Sequence, residues 1–345
     1  MAGHSVAAAV AGALIAGCLL GAPARAQPAK PTPFTLALPA FSLSFSAEYL
    51  AEGMGLYAKR GLVAKVVELP GVGAINGVVS GSADLAISSS ISLTRAAARG
   101  QKLLAIAETT DRVIVQISLR KDLARGFDPK APLEQRARLL RGRTIAVDGI
   151  SSLIHAYVLL LAKRAGIGGD DIHVAVMQPA NMIAALAAKQ IDGFAMSPPW
   201  PLKPVLEGSA VMIASGPDGD PPDLIPFANN VLVTRPETCA KRKEVCEGVV
   251  GAFAEAAAFL EDHPEEALAT LKKRFGSLDG KLLAASFEVI RKITPSPLAV
   301  SKEGLENSEI FNIDAGLMKP EEKLKSYDGL YTNQYVPRAG ARGAD

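Results

Sequence analysis

From residue 34 onward, short apolar runs alternate with longer stretches whose apolar positions return every three or four residues. The first pattern is that of strands buried in a sheet, the second that of helices turning one face to a core. Residues 34–38 read as a strand, 46–59 as a helix with Ser46 at its N-cap and Gly61 past its end, and 62–69 as a second strand. A helix is expected after Gly73, a strand over 84–88, and another helix from about Ser90. The same order returns in a strand at 144–147, a helix at 153–165 stopped by Gly166, a strand at 172–177, a helix at 180–189 and a strand at 192–196.

The repetition is visible in letters at the third strand of each copy. Residues 81–89 (GSADLAISS) align with 189–197 (KQIDGFAMS), so that a polar turn and an aspartate, Asp84 or Asp192, precede a short apolar strand ending in hydroxyls. Strands alternating with helices predict parallel sheets with right-handed crossovers, which bind ligands at the carboxyl ends of their strands. The serine-rich loops fall at those ends, although a serine at any single strand–helix junction is commonly just an N-cap. Two further β-rich runs, 113–119 and 229–234, flank the second copy, as expected if one lobe is inserted into another with hinge strands between them. The chain from Lys241 on reads as mainly helical and is expected to pack back on the first lobe. Its Val249, Val250, Phe253, Ala257 and Leu260 keep a helical rhythm. The resulting division is 33–115 with 234–335 for one lobe, 116–233 for the other, and a mobile tail over 336–345.

Ahead of this pattern, residues 5–22 form an uncharged run rich in Ala and Leu, followed by Ala24 and Ala26 in the small-x-small spacing of a cleavage site before Gln27. Residues 1–26 are therefore expected to be a signal peptide, which places the mature protein in the periplasm. Residues 15–18 (IAGC) also match a lipoprotein box, and the alternative is a protein anchored by lipid on Cys18.

Composition narrows the classes. The 345 residues include 37 basic and 35 acidic side chains, a balance that argues against a nucleic-acid partner. Outside the N-terminus no apolar run approaches the roughly 20 residues of a membrane-spanning helix. Removal of the export segment leaves two cysteines, Cys239 and Cys246, a candidate disulfide in an oxidising compartment. Seven residues of straight helix rise about 10 Å, too far to bridge, so a bond requires the helix to begin after Cys239 with the loop before it folded back. The chain has no phosphate-binding glycine loop, dinucleotide fingerprint, zinc-protease motif or nucleophile elbow. His155, His173 and His263 have no metal spacing. No cofactor or metal is expected.

Four segments together carry a family resemblance: 47–62 (AEYLAEGMGLYAKRGL), 81–86 (GSADLA), 140–147 (LRGRTIAV) and 184–193 (AALAAKQIDG). They resemble the substrate-binding proteins of ABC importers for nitrate, sulfonates such as taurine, and thiamine-precursor pyrimidines, over most of residues 34–260. The resemblance implies an α/β, bilobal type II periplasmic-binding fold, with two mostly parallel sheets and hinge strands, closing on one small molecule. It also implies delivery to an ABC permease in the inner membrane. The thiamine-precursor synthases similar to this family carry a cysteine-rich motif that is absent here.

By position, the crevice candidates are Phe41, Ser42 and Phe45 on the first loop, and Ser89, Ser90 and Ile91 after the third strand. The second lobe offers Gly149, Ser151, Ser152, His155, Ser197 and Trp200, and Asn229 stands where the chain crosses back. Ser151 and Ser152 begin a helix and can offer hydroxyl and N–H groups to an anion. Trp200 reads equally as a stacking platform or a core aromatic, and His155 as a donor or a packed helical histidine. The loops in the crevice hold no Arg or Lys, which favours a small organic ligand with an aromatic or apolar part over an inorganic dianion. The expected protein is a monomeric, non-enzymatic receptor for a small organic, anionic or aromatic molecule. The alternatives are a lyase or pyrimidine-precursor synthase on the same fold, or a sensor of ligand occupancy.

Overall fold

The computed structural model of the chain describes residues 1–4, 30–168 and 171–337. The expected export segment beyond residue 4, with Cys18 and the cleavage site, and residues 338–345 of the expected tail lie outside the described residues. Every element named below belongs to the compact unit Pro31–Asp345.

Two five-stranded mixed sheets repeat one plan. The first contains β1 (Thr32–Leu38), β2 (Leu62–Glu68), β3 (Leu85–Ser89), β4 (Leu104–Thr110) and, from far along the chain, β10 (Asn230–Thr234), in the order β2-β1-β3-β10-β4. The second contains β5 (Gln116–Arg120), β6 (Thr144–Val147), β7 (His173–Val176), β8 (Gly193–Met196) and β9 (Ala210–Ser215), in the order β7-β6-β8-β5-β9. In each sheet three parallel strands meet a fourth that runs antiparallel, β10 against β3 and β4, and β5 against β8 and β9. Each antiparallel strand comes directly after a crossing from the other sheet. β10 lies wholly in the first sheet, four residues before the point where the expected division returned the chain to that lobe.

The repeated aspartates account for the echo in the sequence. The Asp84 carboxylate accepts the Thr35 N–H at 2.8 Å, and Asp192 accepts the Thr144 N–H at 3.0 Å. Each aspartate thus ties the entrance of its strand to a parallel neighbouring strand, β1 in one sheet and β6 in the other. Each also has an arginine from elsewhere, Arg242 at 2.5 Å from Asp84 and Arg120 at 3.6 Å from Asp192. The turn before each needs a left-handed residue, Gly81 in one copy (φ 81°) and Lys189 in the other (φ 59°). The shared motif is therefore a device of the fold, remote from the ligand end of the strands.

Helices cover the sheets: α1 (Ser46–Gly53), α2 (Gly73–Ser80) and α3 (Ser90–Ala98) on the first, α4 (Leu133–Ala137), α5 (Leu153–Arg164), α6 (Pro179–Ala187) and α7 (Leu202–Leu206) on the second. The expected helix over 46–59 ends at Gly53, and a 3-10 turn at Ala58–Arg60 follows. Ser46 is not its cap either: its hydroxyl donates to the Leu43 carbonyl at 2.6 Å, whereas Ser42 caps the 3-10 turn Leu43–Phe45. The short runs of β4 and β9 carry no periodicity in the sequence that marks them as strands.

The C-terminal part comprises α8 (Pro236–Lys241), α9 (Lys243–Asp262), α10 (Pro264–Arg274), α11 (Gly280–Ile293) and α12 (Lys302–Asp314). Val249, Val250, Phe253, Ala257 and Leu260 of α9 are all buried. α9 and α10 pack on α1, as expected of a return to the first lobe, but α11 touches α7 and α12 touches both α3 and α5. Tyr157 of α5 stacks on Phe311 of α12 with centroids 6.5 Å apart, so the terminal helices span both sheets. The two cysteines are bonded, with Cα atoms 5.6 Å apart. The route differs from the expected one: Cys239 sits in a helix of its own, and the chain breaks at Arg242 (φ −136°, ψ 55°), which turns α8 back on α9.

Candidate functional site

The carboxyl ends of β1, β3, β6 and β8 converge on a cavity of about 80 Å³ between the two sheets. The first sheet contributes Ser42, Ser44, Phe45, Ser88, Ser89 and Ser92, and the second Asp148, Ser152, Met196 and Ser197, with Asn230 entering from β10. A larger open hollow of about 650 Å³ lies beside Arg120, Asp122, Lys189 and Glu207. It belongs to the second sheet alone, and its Arg120, Asp122 and Lys189 pair with one another. The smaller cavity is the candidate site, because it joins both sheets at the end where such sheets bind ligands.

Hydroxyls close it. Ser42 Oγ and Ser197 Oγ lie 3.0 Å apart, linking the first loop of one sheet to the end of β8 in the other. Ser42 also lies within donating distance, 3.3 Å, of the Pro198 carbonyl, and it accepts from the Ser44 hydroxyl at 3.1 Å. Across the cavity Ser89 and Ser92 face each other at 3.0 Å. A second link between the sheets runs from Arg95 of α3, whose guanidinium donates to the Ser151 carbonyl at 2.9 Å. Burial and the neighbouring Arg99 push the pKa of Arg95 down.

At the start of α5, Ser152 caps the helix by accepting the His155 N–H at 3.1 Å and donates its own proton to Asp148 at 2.6 Å. Burial pushes the pKa of Asp148 up, against hydrogen bonds from Ser152 and from backbone N–H groups of the loop, and no cation contributes. Ser151 stands in the left-handed region (φ 62°), and its N–H donates to His155 Nδ1 at 3.1 Å. With that nitrogen accepting, His155 is a neutral imidazole, and burial lowers its pKa.

Of the residues singled out from the sequence, Ser42, Phe45, Ser89, Ser152 and Ser197 line the cavity. The others lie beside it. Phe41 turns outward, 43% exposed, and stacks on Phe275 with centroids 4.6 Å apart. Ser90 and Ile91 are fully buried in the first turn of α3. Gly149, Ser151 and His155 form the turn behind Asp148 and Ser152. Trp200 packs against the core, its buried indole N–H without a partner. Asn229 faces away from the cavity: it accepts the Ile114 N–H and donates to Thr110, both at 3.1 Å, stapling the two crossings together. Its neighbour Asn230 points the other way, as alternation along a strand requires, and lines the site. Asp148 and Ser44 were within sight in the sequence, in loops already assigned to the crevice. The signal that marks Asp148 is an acid placed immediately after a strand and four residues before the capping serine.

Comparison with known proteins gives a consistent result. The family described as NMT1/THI5 like matches residues 42–267. The bicarbonate transport ATP-binding protein CmpC of Synechocystis sp. is 32% identical over 99 residues, 28% of this chain and 14% of that protein. This chain therefore spans a small fraction of the length of that curated relative. A protein from Bordetella bronchiseptica RB50 superposes with a TM-score of 0.75 at 16% identity, covering 89% of this chain and 96% of its own. The alkanesulfonate-binding protein SsuA from Xanthomonas axonopodis pv. citri, solved with MOPS bound, gives 0.68 at 21% identity over 88% of this chain and 100% of its own. Both share the bilobal α/β fold described above.

Proposed function

Because the chain belongs to the NMT1/THI5-like family, we propose that it is a solute receptor, which holds one small organic molecule between its two sheets and hands it to an ABC importer. The observation that carries this reading is the polar cavity bounded by both sheets and bridged across its rim by Ser42 and Ser197. A ligand seated there touches both lobes, one built on each sheet, and can couple its own capture to their approach. The crossings at 110–116 and 215–230, stapled by Asn229, are the hinge in this account. The alkanesulfonate-binding neighbour supports the class of function, and its ligand supports a small organic molecule.

The proposal includes export to the periplasm as a soluble monomer, by cleavage before Gln27. Among the described residues no helix is long and apolar enough to cross a membrane. Binding without turnover is proposed because Asp148 is the only carboxylate or base among the described residues lining the cavity, whereas acid–base chemistry usually needs a second partner.

The test is a melting-temperature screen of the full chain against diverse small organic molecules, followed by mass analysis of any stabilising compound after long incubation. A compound that raises the melting temperature and is recovered unchanged supports a receptor; its conversion to product contradicts one. Peptide mapping of the exported protein should find an N-terminus at Gln27.

A further inference from the structure

The cavity combines two helix starts, which would ordinarily attract an anion, with a carboxylate standing in the loop just ahead of one of them. At α5 the loop's own Asp148 takes hydrogen bonds from backbone N–H groups and from the capping Ser152. An anionic ligand at that helix N-terminus would stand beside this carboxylate, a like charge that opposes the attraction of the helix end. Around the rest of the cavity stand serine hydroxyls, the Asn230 amide and the apolar Phe45, Ile114 and Met196, with no Arg or Lys. The cation bonded to this loop, Arg95, donates to the Ser151 carbonyl, and it is not among the groups acting on Asp148. His155, also behind the loop, is neutral, its Nδ1 accepting from Ser151.

We propose that the ligand presents a protonated nitrogen to Asp148 and carries no net negative charge, so that the site selects small amines and refuses sulfonates and carboxylates. This rests on the receptor reading above and names the chemistry of the same cavity. An ammonium group supplies what the site lacks, a cation facing an uncompensated carboxylate, with hydroxyl oxygens ready to accept its remaining protons. A sulfonate or carboxylate in that position would face Asp148 with no compensating side-chain charge.

The test uses the full chain and matched amines, alcohols, carboxylates and sulfonates built on the same set of short alkyl and aryl skeletons, with affinities measured by calorimetry. Amines are expected to bind. Asp148→Asn, which keeps an acceptor for Ser152, should weaken them at least tenfold and improve the matched anions. For the wild type, amine affinity should fall as acidification protonates Asp148, a readout that needs no variant. Carboxylates or sulfonates binding the wild type as tightly as the amines would overturn the proposal, as would amine affinity unchanged in Asp148→Asn. Absence of binding by every member of all four classes would contradict the receptor reading itself.

Discussion

At the scale of single residues, Glu48 of α1 is completely enclosed, and neither carboxylate oxygen has a hydrogen-bond partner. Burial, with Glu52 nearby, pushes its pKa from 4.5 to about 8. A group whose pKa is raised on folding contributes stability that is complete below the unfolded value and lost as pH rises through the folded one. Thermal melts of the wild type should therefore show stability falling from about pH 5 to above 8, and Glu48→Gln should flatten that slope. An unchanged slope would remove Glu48 as its source. Glu108, also held at about 8 by burial, leaves the variant a residual dependence. The two repeated aspartates, by contrast, have hydrogen-bond partners. Removing either carboxylate leaves a strand N–H without its acceptor and an arginine with one anionic partner fewer, so Asp84→Ala and Asp192→Ala should each cost roughly 1–3 kcal/mol in urea denaturation. The sequence showed these two aspartates because they recur at the same offset from a strand. It could not separate Asn229 from Asn230, since both stand at one strand entrance and only the pleat decides which faces the cavity.

At the scale of elements, the crossings and the helix break are the points of least tolerance. A Cβ on Gly216 would come within 2.1 Å of the Val113 carbonyl oxygen, and one on Gly193 within 2.5 Å of the Ser118 carbonyl oxygen. These neighbours are backbone and cannot step aside. Gly216→Ala and Gly193→Ala should each destabilise by about 1–3 kcal/mol, whereas Gly149→Ala, with nothing in the way, should be near neutral. Denaturant midpoints of the three variants decide this; equal midpoints would contradict it. Cys239–Cys246 closes a short loop, so reduction should lower stability by about 2–3 kcal/mol, measured as the difference between melts with and without reductant. The alternation of strands and helices was legible because buried strands and one-faced helices differ in period. The end of α1 was not, because the apolar positions Leu56 and Tyr57 continue the helical rhythm while the chain turns at Gly55 (φ 67°).

At the scale of the whole molecule, two copies of one sheet plan exchange a strand each, and the cavity lies where their strand ends face one another. That general placement could be read from strand order and hydroxyl-rich loops. The identity of the residues on its wall depended on loop trajectories, such as the outward turn of Phe41 onto Phe275, that no periodicity records. Trp200 stands three residues beyond Ser197 and next to the Pro198–Pro199 pair that meets Ser42, so its emission should report lobe closure even though it does not line the cavity. The central claim is that one small molecule binds between the sheets. Its most direct test is calorimetric titration of a stabilising compound into the wild type and into Ser89→Trp, whose indole would fill the cavity from β3. Saturable one-to-one binding to the wild type, weakened more than tenfold in a variant that melts normally, is the predicted result; undiminished binding to Ser89→Trp would contradict it.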